Sequence, residues 1–371
     1  MNYKTTLIVI TLFAAYFILG LMIHSDYGVS WDEPISRENG RVNVKYIGEK
    51  FAPFLLTKDI QLAPDLHHWV DKDYGVAFET PMVVFEQLLN LEDSKEIYAF
   101  RHLATFIVSF LGVVAIFAIS NRIYGDYRLA ILAVLIMIFS PRMFAESFYN
   151  SKDIVFMAFT AMAMYSLTIF LIRPSLQSAI IHGLFSALAI DVRIMGVVLV
   201  ACTLVAIVFR AGKQEIAPGK AMLMVMIYTT TCSVLVVAMF PFLWDDPFGN
   251  LTIALNNMSN FRWPGAVFYL GDFIPADDLP WHYIPVWILI TTPPLFSMLM
   301  FVGVFQTIRQ LVTSKSFPWT DDRQMLELIF LCLLVAPIVT VIMLSSVMYD
   351  GWRQMYFVYP AFILMAIKGA G

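Results

Sequence analysis

Hydrophobic and polar positions along this chain do not alternate; they come in blocks. Nearly uninterrupted apolar runs cover residues 5–23, 102–120, 129–140, 154–172, 176–190, 194–209, 221–243, 284–308, 327–348 and 355–367. Crossing a bilayer takes roughly 20 apolar residues in helical form, and in lipid only a helix or a closed barrel satisfies its own backbone. The pattern predicts an all-α polytopic membrane protein with about ten transmembrane helices. The runs at 129, 176 and 355 are short for a full crossing and are expected to be tilted, packed inside the bundle or, for the last, cut off by the end of the chain.

The polar segments between the runs are very unequal. Two are long, 24–99 and 244–283, and the rest are short; function concentrates in long loops. Within the first, the stretch from Val42 to Phe54 and the run Val83 to Leu89 space their apolar residues helically, which predicts interfacial helices. The second is rich in Trp, Pro and Asp, from Trp244-Asp245-Asp246-Pro247 through Arg262-Trp263-Pro264 to Pro280-Trp281-His282-Tyr283, as suits an aromatic belt at headgroup level. Without internal repeats, low-complexity tracts or Gly/Ser linkers, residues 1–371 are expected to form one transmembrane domain. No paired, broken hydrophobic segments mark two transporter-like halves.

Charge orients the blocks. Lys4, Arg122, Arg128, Arg173, Arg210, Lys213, Lys220, Arg309, Lys315, Arg323 and Lys368 all fall on one side of the alternation, which the positive-inside rule makes cytoplasmic, with the N-terminus. The other side holds 23 of the 28 acidic residues, so carboxylate chemistry is expected to face the periplasm, the exterior or a lumen. At 59% hydrophobic, 14% charged and a mean hydropathy of +0.73, the chain cannot bury its apolar surface in a soluble core. The formal charge of −4, without a basic patch, excludes a nucleic-acid partner. Cys202, Cys232 and Cys332 lie inside runs and are expected to pack rather than bridge. The first run leads directly into His24-Ser25-Asp26-Tyr27 with no small-residue cleavage site, so it reads as a retained helix.

Candidate chemistry sits at the ends of the runs on the acidic side: Trp31-Asp32-Glu33-Pro34, Glu79-Thr80-Pro81, Tyr149-Asn150-Ser151-Lys152-Asp153, Asp191-Val192-Arg193 and Tyr349-Asp350-Gly351-Trp352-Arg353. A charge at the bilayer centre is costly, whereas one at a helix end reaches water, so each could be a snorkelling end group. Asp32 before Pro34 could simply cap a helix, and Lys152 could simply pair with Asp153. Their accumulation on one face, acids mixed with Lys152, Arg193 and Arg353, is less easily explained by end-capping alone.

Taken in order from residue 26 to about 362, these pieces resemble the GT-C membrane glycosyltransferases. The similarity is to the branch of protein mannosyltransferases and of the aminoarabinose transferases that modify lipid A. It rests on Asp32, on the turn Glu79-Thr80-Pro81, and on Phe139-Ser140-Pro141 to Lys152-Asp153-Ile154. Arg193-Ile194-Met195-Gly196 and Arg353-Gln354-Met355-Tyr356 to Tyr359-Pro360 complete it. The resemblance implies a GT-C type bundle, a polyprenyl-phosphate-linked sugar donor, a hydroxyl acceptor that is protein, lipid or polysaccharide, and inversion at the transferred sugar. It also implies Asp32 as general base, with Glu33 beside it holding an acceptor, a metal or an arginine, and a donor phosphate bound by Arg193, Arg353 and Lys152. The membrane implied is a bacterial inner membrane, with the site on its outer face. One departure stands out: the aminoarabinose transferases have Glu-Lys-Pro, and the protein mannosyltransferases His-Pro-Pro, where this chain has Glu79-Thr80-Pro81. Lys72, Arg101 or the other arginines would then supply the missing cation. Glu79 with Asp153 or His282 could hold a divalent cation. Relatives often continue beyond Lys368-Gly369-Ala370-Gly371, so part of the protein is expected to be missing. Two rival readings remain, a transporter or lipid flippase and an O-antigen polymerase or ligase; spans nearly free of charge apart from His182 disfavour the first, and the early acidic pair disfavours the second.

Overall fold

A computed structural model describes residues 3–259, 263–314 and 317–371; Arg262 of the second long loop and Lys315 lie outside the described residues. The helices are α1 (Tyr3–Ile23), α2 (Glu33–Lys50), α3 (Lys58–Gln61), α4 (Glu79–Leu88), α5 (Ser94–Tyr124), α6 (Tyr127–Ile138), α7 (Pro141–Tyr149), α8 (Asp153–Ile172), α9 (Leu176–Val192), α10 (Val197–Gly212), α11 (Pro218–Met239) and α12 (Pro247–Ser259). A hairpin of β1 (Ala266–Tyr269) and β2 (Asp272–Pro275) follows, and then α13 (Tyr283–Thr291), α14 (Pro294–Thr313), α15 (Asp322–Met343) and α16 (Tyr359–Ala370).

Among the described residues, seven helices are long and apolar enough to cross a membrane, or eight if α6 and α7, bent by 68° across a short break, count as one span. The expected run at 284–308 is not one helix. Pro293 and Pro294 split it, because a proline forces the residue before it out of helical conformation and lacks the N–H that the ladder needs. The runs at 129 and 355 form 12-residue helices and the run at 176 a 17-residue one, all too short for a straight crossing. Of these, α16 is buried along its whole length from Tyr359 to Lys368, a segment enclosed by protein rather than lipid.

The bundle is organised around α8, 78% of whose apolar window is inside, against 17% for α1 at the periphery. α5 and α9 flank α8, α11 packs on α9, and α14 lies along α16. Local signals set the ends of α5: Asp93 accepts the Lys95 N–H as N-cap, and Gly125, at φ 65°, turns the chain into the left-handed region that favours glycine. The stretches expected to form interfacial helices are α2 and α4, which pack on each other. The hairpin in the second loop had no counterpart in the apolar pattern.

The helix termini sort to two ends. At one, Arg210 reaches Glu215 and Asp322, and Lys368 reaches Glu327. At the other lie α2, α4, the 149–153 turn, Arg193 and Arg353.

At the α14/α16 crossing a Cβ on Gly303 would collide with the Met365 carbonyl, and one on Gly369 with the Leu299 carbonyl. Small residues let helix backbones approach this closely. Gly303→Leu should therefore destabilise the bundle by about 1–3 kcal/mol or more, read as a lower midpoint of unfolding on titration from mild detergent into dodecyl sulfate.

Candidate functional site

Asp32 stands at the start of α2, but its carboxylate caps nothing there. It reaches across the molecule and accepts from the Arg353 Nη1 at 2.5 Å. Arg353 stands at the head of the 3-10 segment Arg353–Val358 that leads into α16, and its guanidinium also meets Asp350 at 3.1 Å and Asp153 at 4.0 Å. Asp153, the first residue of α8, pairs with Arg193 from the junction of α9 and α10. Four segments far apart in sequence thus converge on one charge cluster.

Burial alone would loosen the proton on Arg353, but Asp153 and Asp32 more than compensate and hold it above its ordinary range; Arg193 is held up likewise by Asp153. Lys152 moves the other way. Burial and the neighbouring Arg193 lower it, and its ammonium lies 4.1 Å over the Tyr74 ring. Among the described residues no carboxylate forms an ion pair with it; the expected partner Asp153 is taken by Arg193.

These groups line a cavity of about 590 Å³. Its walls carry Asp32, Lys152, Arg193 and Arg353, together with Asp71 and Tyr149. Arg142 and Glu146 of α7 also line it, joined at 2.9 Å, with Glu146 accepting from the Tyr356 hydroxyl at 2.6 Å. Beside it lies an apolar hollow of about 130 Å³, walled by Ile194, Met195, Val341, Leu344 and Met348 among others. Tyr74, Arg193 and Tyr349 border both spaces.

Other expected residues sit elsewhere. Glu33 borders the cavity, yet its carboxylate turns inward, accepting the Ser30 N–H at 2.6 Å and meeting His102 Nε2 at 2.8 Å. Glu79 lies outside the cavity lining, its oxygens bonded to Arg101 and to the Ser151 hydroxyl, each at 2.6 Å. His282 lies against the turn end of the hairpin, its Nδ1 on the Tyr269 hydroxyl at 2.7 Å. The residues present do not fit a divalent ion held by Glu79 with Asp153 or His282: Glu79 is spent on a cation and a hydroxyl, Asp153 on two arginines, and no group of three potential ligands exists among the described residues. Of the substitutes offered for the missing lysine near Glu79, Arg193 and Arg353 line the cavity and Lys72 and Arg101 do not. Lys72 donates to the His67 carbonyl, and Arg101 is buried between Glu79 and Glu86.

Sequence reasoning missed Arg142, Glu146, Asp71 and Tyr74. The first pair had a legible signal, opposite charges at i, i+4 directly after Ser140-Pro141; Asp71 and Tyr74 had none. His182, the one charge-capable residue noted inside a span, is buried between the Ser166 and Thr203 hydroxyls at 3.0 and 2.9 Å, as a packed polar residue.

Comparison with known proteins agrees with the resemblance. Residues 94–244 match the family model for dolichyl-phosphate-mannose-protein mannosyltransferases. The apo oligosaccharyltransferase of Archaeoglobus fulgidus superposes with a TM-score of 0.59 at 9% identity, covering 96% of this chain and 50% of that one. ArnT from Cupriavidus metallidurans, solved bound to undecaprenyl phosphate, superposes with a TM-score of 0.57 at 14% identity, covering 97% of this chain and 59% of that one. The chain thus spans half the length of the first and somewhat more than half of the second. No curated protein matches the sequence. The fold is that of the GT-C membrane glycosyltransferases.

The buried quartet Arg37, Glu86, Arg101 and Glu79 fastens α2 and α4 to α5. Arg101→Met would strand two carboxylates that are almost fully buried and should cost about 3–5 kcal/mol. Arg37→Met, at a partner 24% exposed, should cost about 1 kcal/mol or less. Thermal aggregation in detergent compares the two.

Proposed function

We propose that this protein is a glycosyltransferase that moves a sugar from a polyprenyl-phosphate-linked donor to a hydroxyl acceptor, inverting the anomeric carbon. The observation that carries the reading is the meeting of Asp32 and Arg353, 321 positions apart, in a cavity that also holds Lys152 and Arg193 and adjoins an apolar hollow. The hollow suits an isoprenoid chain, and Arg193, common to both spaces, suits the phosphate at its end, since guanidinium binds phosphate oxygens in a bidentate way. The undecaprenyl phosphate held by ArnT supports a donor of this kind. By the positive-inside rule the cavity faces away from the cytoplasm, and the bilayer is read as a bacterial inner membrane.

The resting geometry dictates an order of events. Asp32 and Arg353 are in contact, so no sugar fits between them until they separate. An incoming phosphodiester competes with the Asp32 carboxylate for the Arg353 guanidinium, and once it wins, Asp32 is released as a free base on the other side of the sugar. The acceptor oxygen then attacks the anomeric carbon and its proton passes to Asp32, while the bond to phosphate breaks and the leaving polyprenyl phosphate gathers charge at Arg353, Arg193 and Lys152. With base and leaving group on opposite faces, one displacement inverts the centre, as in inverting glycosidases.

The test is turnover of a panel of polyprenyl-phosphate sugars by purified protein in lipid nanodiscs. Asp32→Asn should lower kcat by about a hundredfold or more without weakening donor binding, because it removes the competitor for Arg353. Full turnover by Asp32→Asn overturns the base assignment, and a lipid-linked sugar that is bound but never consumed favours a transporter. Arg193→Gln should weaken retention of the lipid phosphate by about tenfold or more, an effect of the size expected on losing a charge-assisted pair, read by competition with unlabelled polyprenyl phosphate.

A further inference from the structure

Beside the cavity is a buried ionisable pair that the proposed reaction does not use, and its hydrogen bonds do not balance unless it holds one extra proton. His102 of α5 and Glu33 of α2 are 1% and 3% exposed. His102 Nδ1 faces the His24 backbone oxygen at 3.2 Å, and Nε2 faces a Glu33 carboxylate oxygen at 2.8 Å. A backbone carbonyl only accepts, so Nδ1 must carry a hydrogen; an ionised carboxylate only accepts, so Nε2 needs one too. Neutral imidazole has a single N–H. The two contacts together hold one proton more than a neutral ring and a carboxylate supply. The extra proton lies in the contact between Nε2 and Glu33.

The groups around the pair leave this arrangement intact. Arg37 and Arg101, which with Glu33 surround Tyr98, are turned to Glu86 and Glu79. Tyr98 and Tyr149 lie close enough to feel the Glu33 charge, Asp32 is engaged by Arg353, and Asp26 lies in the turn that holds the His24 carbonyl. Among the described residues, His102 is thus the only cation within ion-pairing distance of Glu33.

The second Glu33 oxygen takes the Ser30 N–H at 2.6 Å, the Ser30 hydroxyl reaches the Tyr149 carbonyl at 3.3 Å, and Glu33 N donates to the Ser30 carbonyl at 3.3 Å. Asp32 is the residue this closed turn presents. We propose that His102, held as an imidazolium between the His24 carbonyl and Glu33, is a positioning residue that fixes the turn carrying Asp32. The proposal rests on the reading of Asp32 as base; the proton placement does not.

The experiment has two independent arms. In nitrogen-15 spectra of histidine-labelled protein in nanodiscs at pH 7, the signals that vanish in His102→Gln should show both ring nitrogens protonated. In Glu33→Gln, whose amide can donate to Nε2, the ring should become singly protonated on Nδ1. A singly protonated His102 in the wild type overturns the proposal. In the kinetic arm, His102→Gln should lower kcat by about tenfold to a hundredfold, as a displaced base would, with the donor KM within about twofold. Combined with Asp32→Asn it should cost nothing further, because residues acting as one unit are not additive. An additive loss, or a loss confined to KM, overturns the positioning role. Full turnover by Asp32→Asn alone sinks the base reading and with it the catalytic half of the proposal, while the spectrum still judges the proton.

Discussion

The site depends on one guanidinium held among three carboxylates. Arg353 touches Asp32, Asp350 and, at the edge of contact, Asp153, and Asp153 is shared with Arg193. With Lys152 included, three cations face three anions, so the cluster carries no formal charge. It is not a pre-charged hole waiting for phosphate. An anion can reach Arg353 only by exchanging partners, and the buried partner is the one that cannot yield. Asp153 is 2% exposed and is fixed at the helix start that it forms, whereas Asp32 and Asp350 are 38% and 65% exposed. At an effective dielectric of about 20, a contact pair at 4 Å is worth about 4 kcal/mol before solvation, enough to hold Asp32 in the resting state and small enough for a phosphodiester to replace.

Such an exchange needs a frame that does not move with it. The quartet at Arg101 ties α2 and α4 to α5, and the bond from the Ser151 hydroxyl to Glu79 extends that frame to the turn bearing Lys152 and Asp153. Removing both partners of a buried pair is often neutral, while removing one is costly, so Arg101 reads as a locator for the loop rather than a source of net stability. Glu79, which resembles a site residue by sequence, lies outside the cavity lining, and its carboxylate sets where the turn bearing Lys152 and Asp153 sits.

Helical periodicity made the helical character, seven or eight of the roughly ten expected spans, and the helices α2 and α4 legible before any coordinates, while Asp32 and Arg353 were singled out by the family resemblance. Each depends on signals written locally or repeated along the chain. The illegible parts depend on partners. Nothing near His102 announces that Glu33 will be opposite it, since the two are 69 positions apart. His282 next to Trp281 reads equally well as a ligand or as a hydrogen-bonded support for a hairpin turn, and the hairpin itself is too short, at four residues a strand, to leave a pattern in so aromatic a loop. The break at Pro293 was readable, but the apolar run on both sides outweighed it.

Similarity to known proteins divides along the same line. The matched stretch 94–244 contains the scaffold helices with Lys152, Asp153 and Arg193, while Asp32 and Arg353 lie outside it. Identities of 9% and 14% to the superposed structures speak for a shared fold, and a fold hosts many chemistries. The proposed chemistry therefore requires that the two residues contributed from outside the matched stretch complete what lies within it. They do so in one specific way: the scaffold supplies a buried carboxylate flanked by one arginine, Arg353 arrives as the second, and Asp32 arrives bound to Arg353 rather than to the scaffold. A site built only to hold charge would have no reason to seat a half-exposed carboxylate from a distant loop on the cation proposed to take the phosphate.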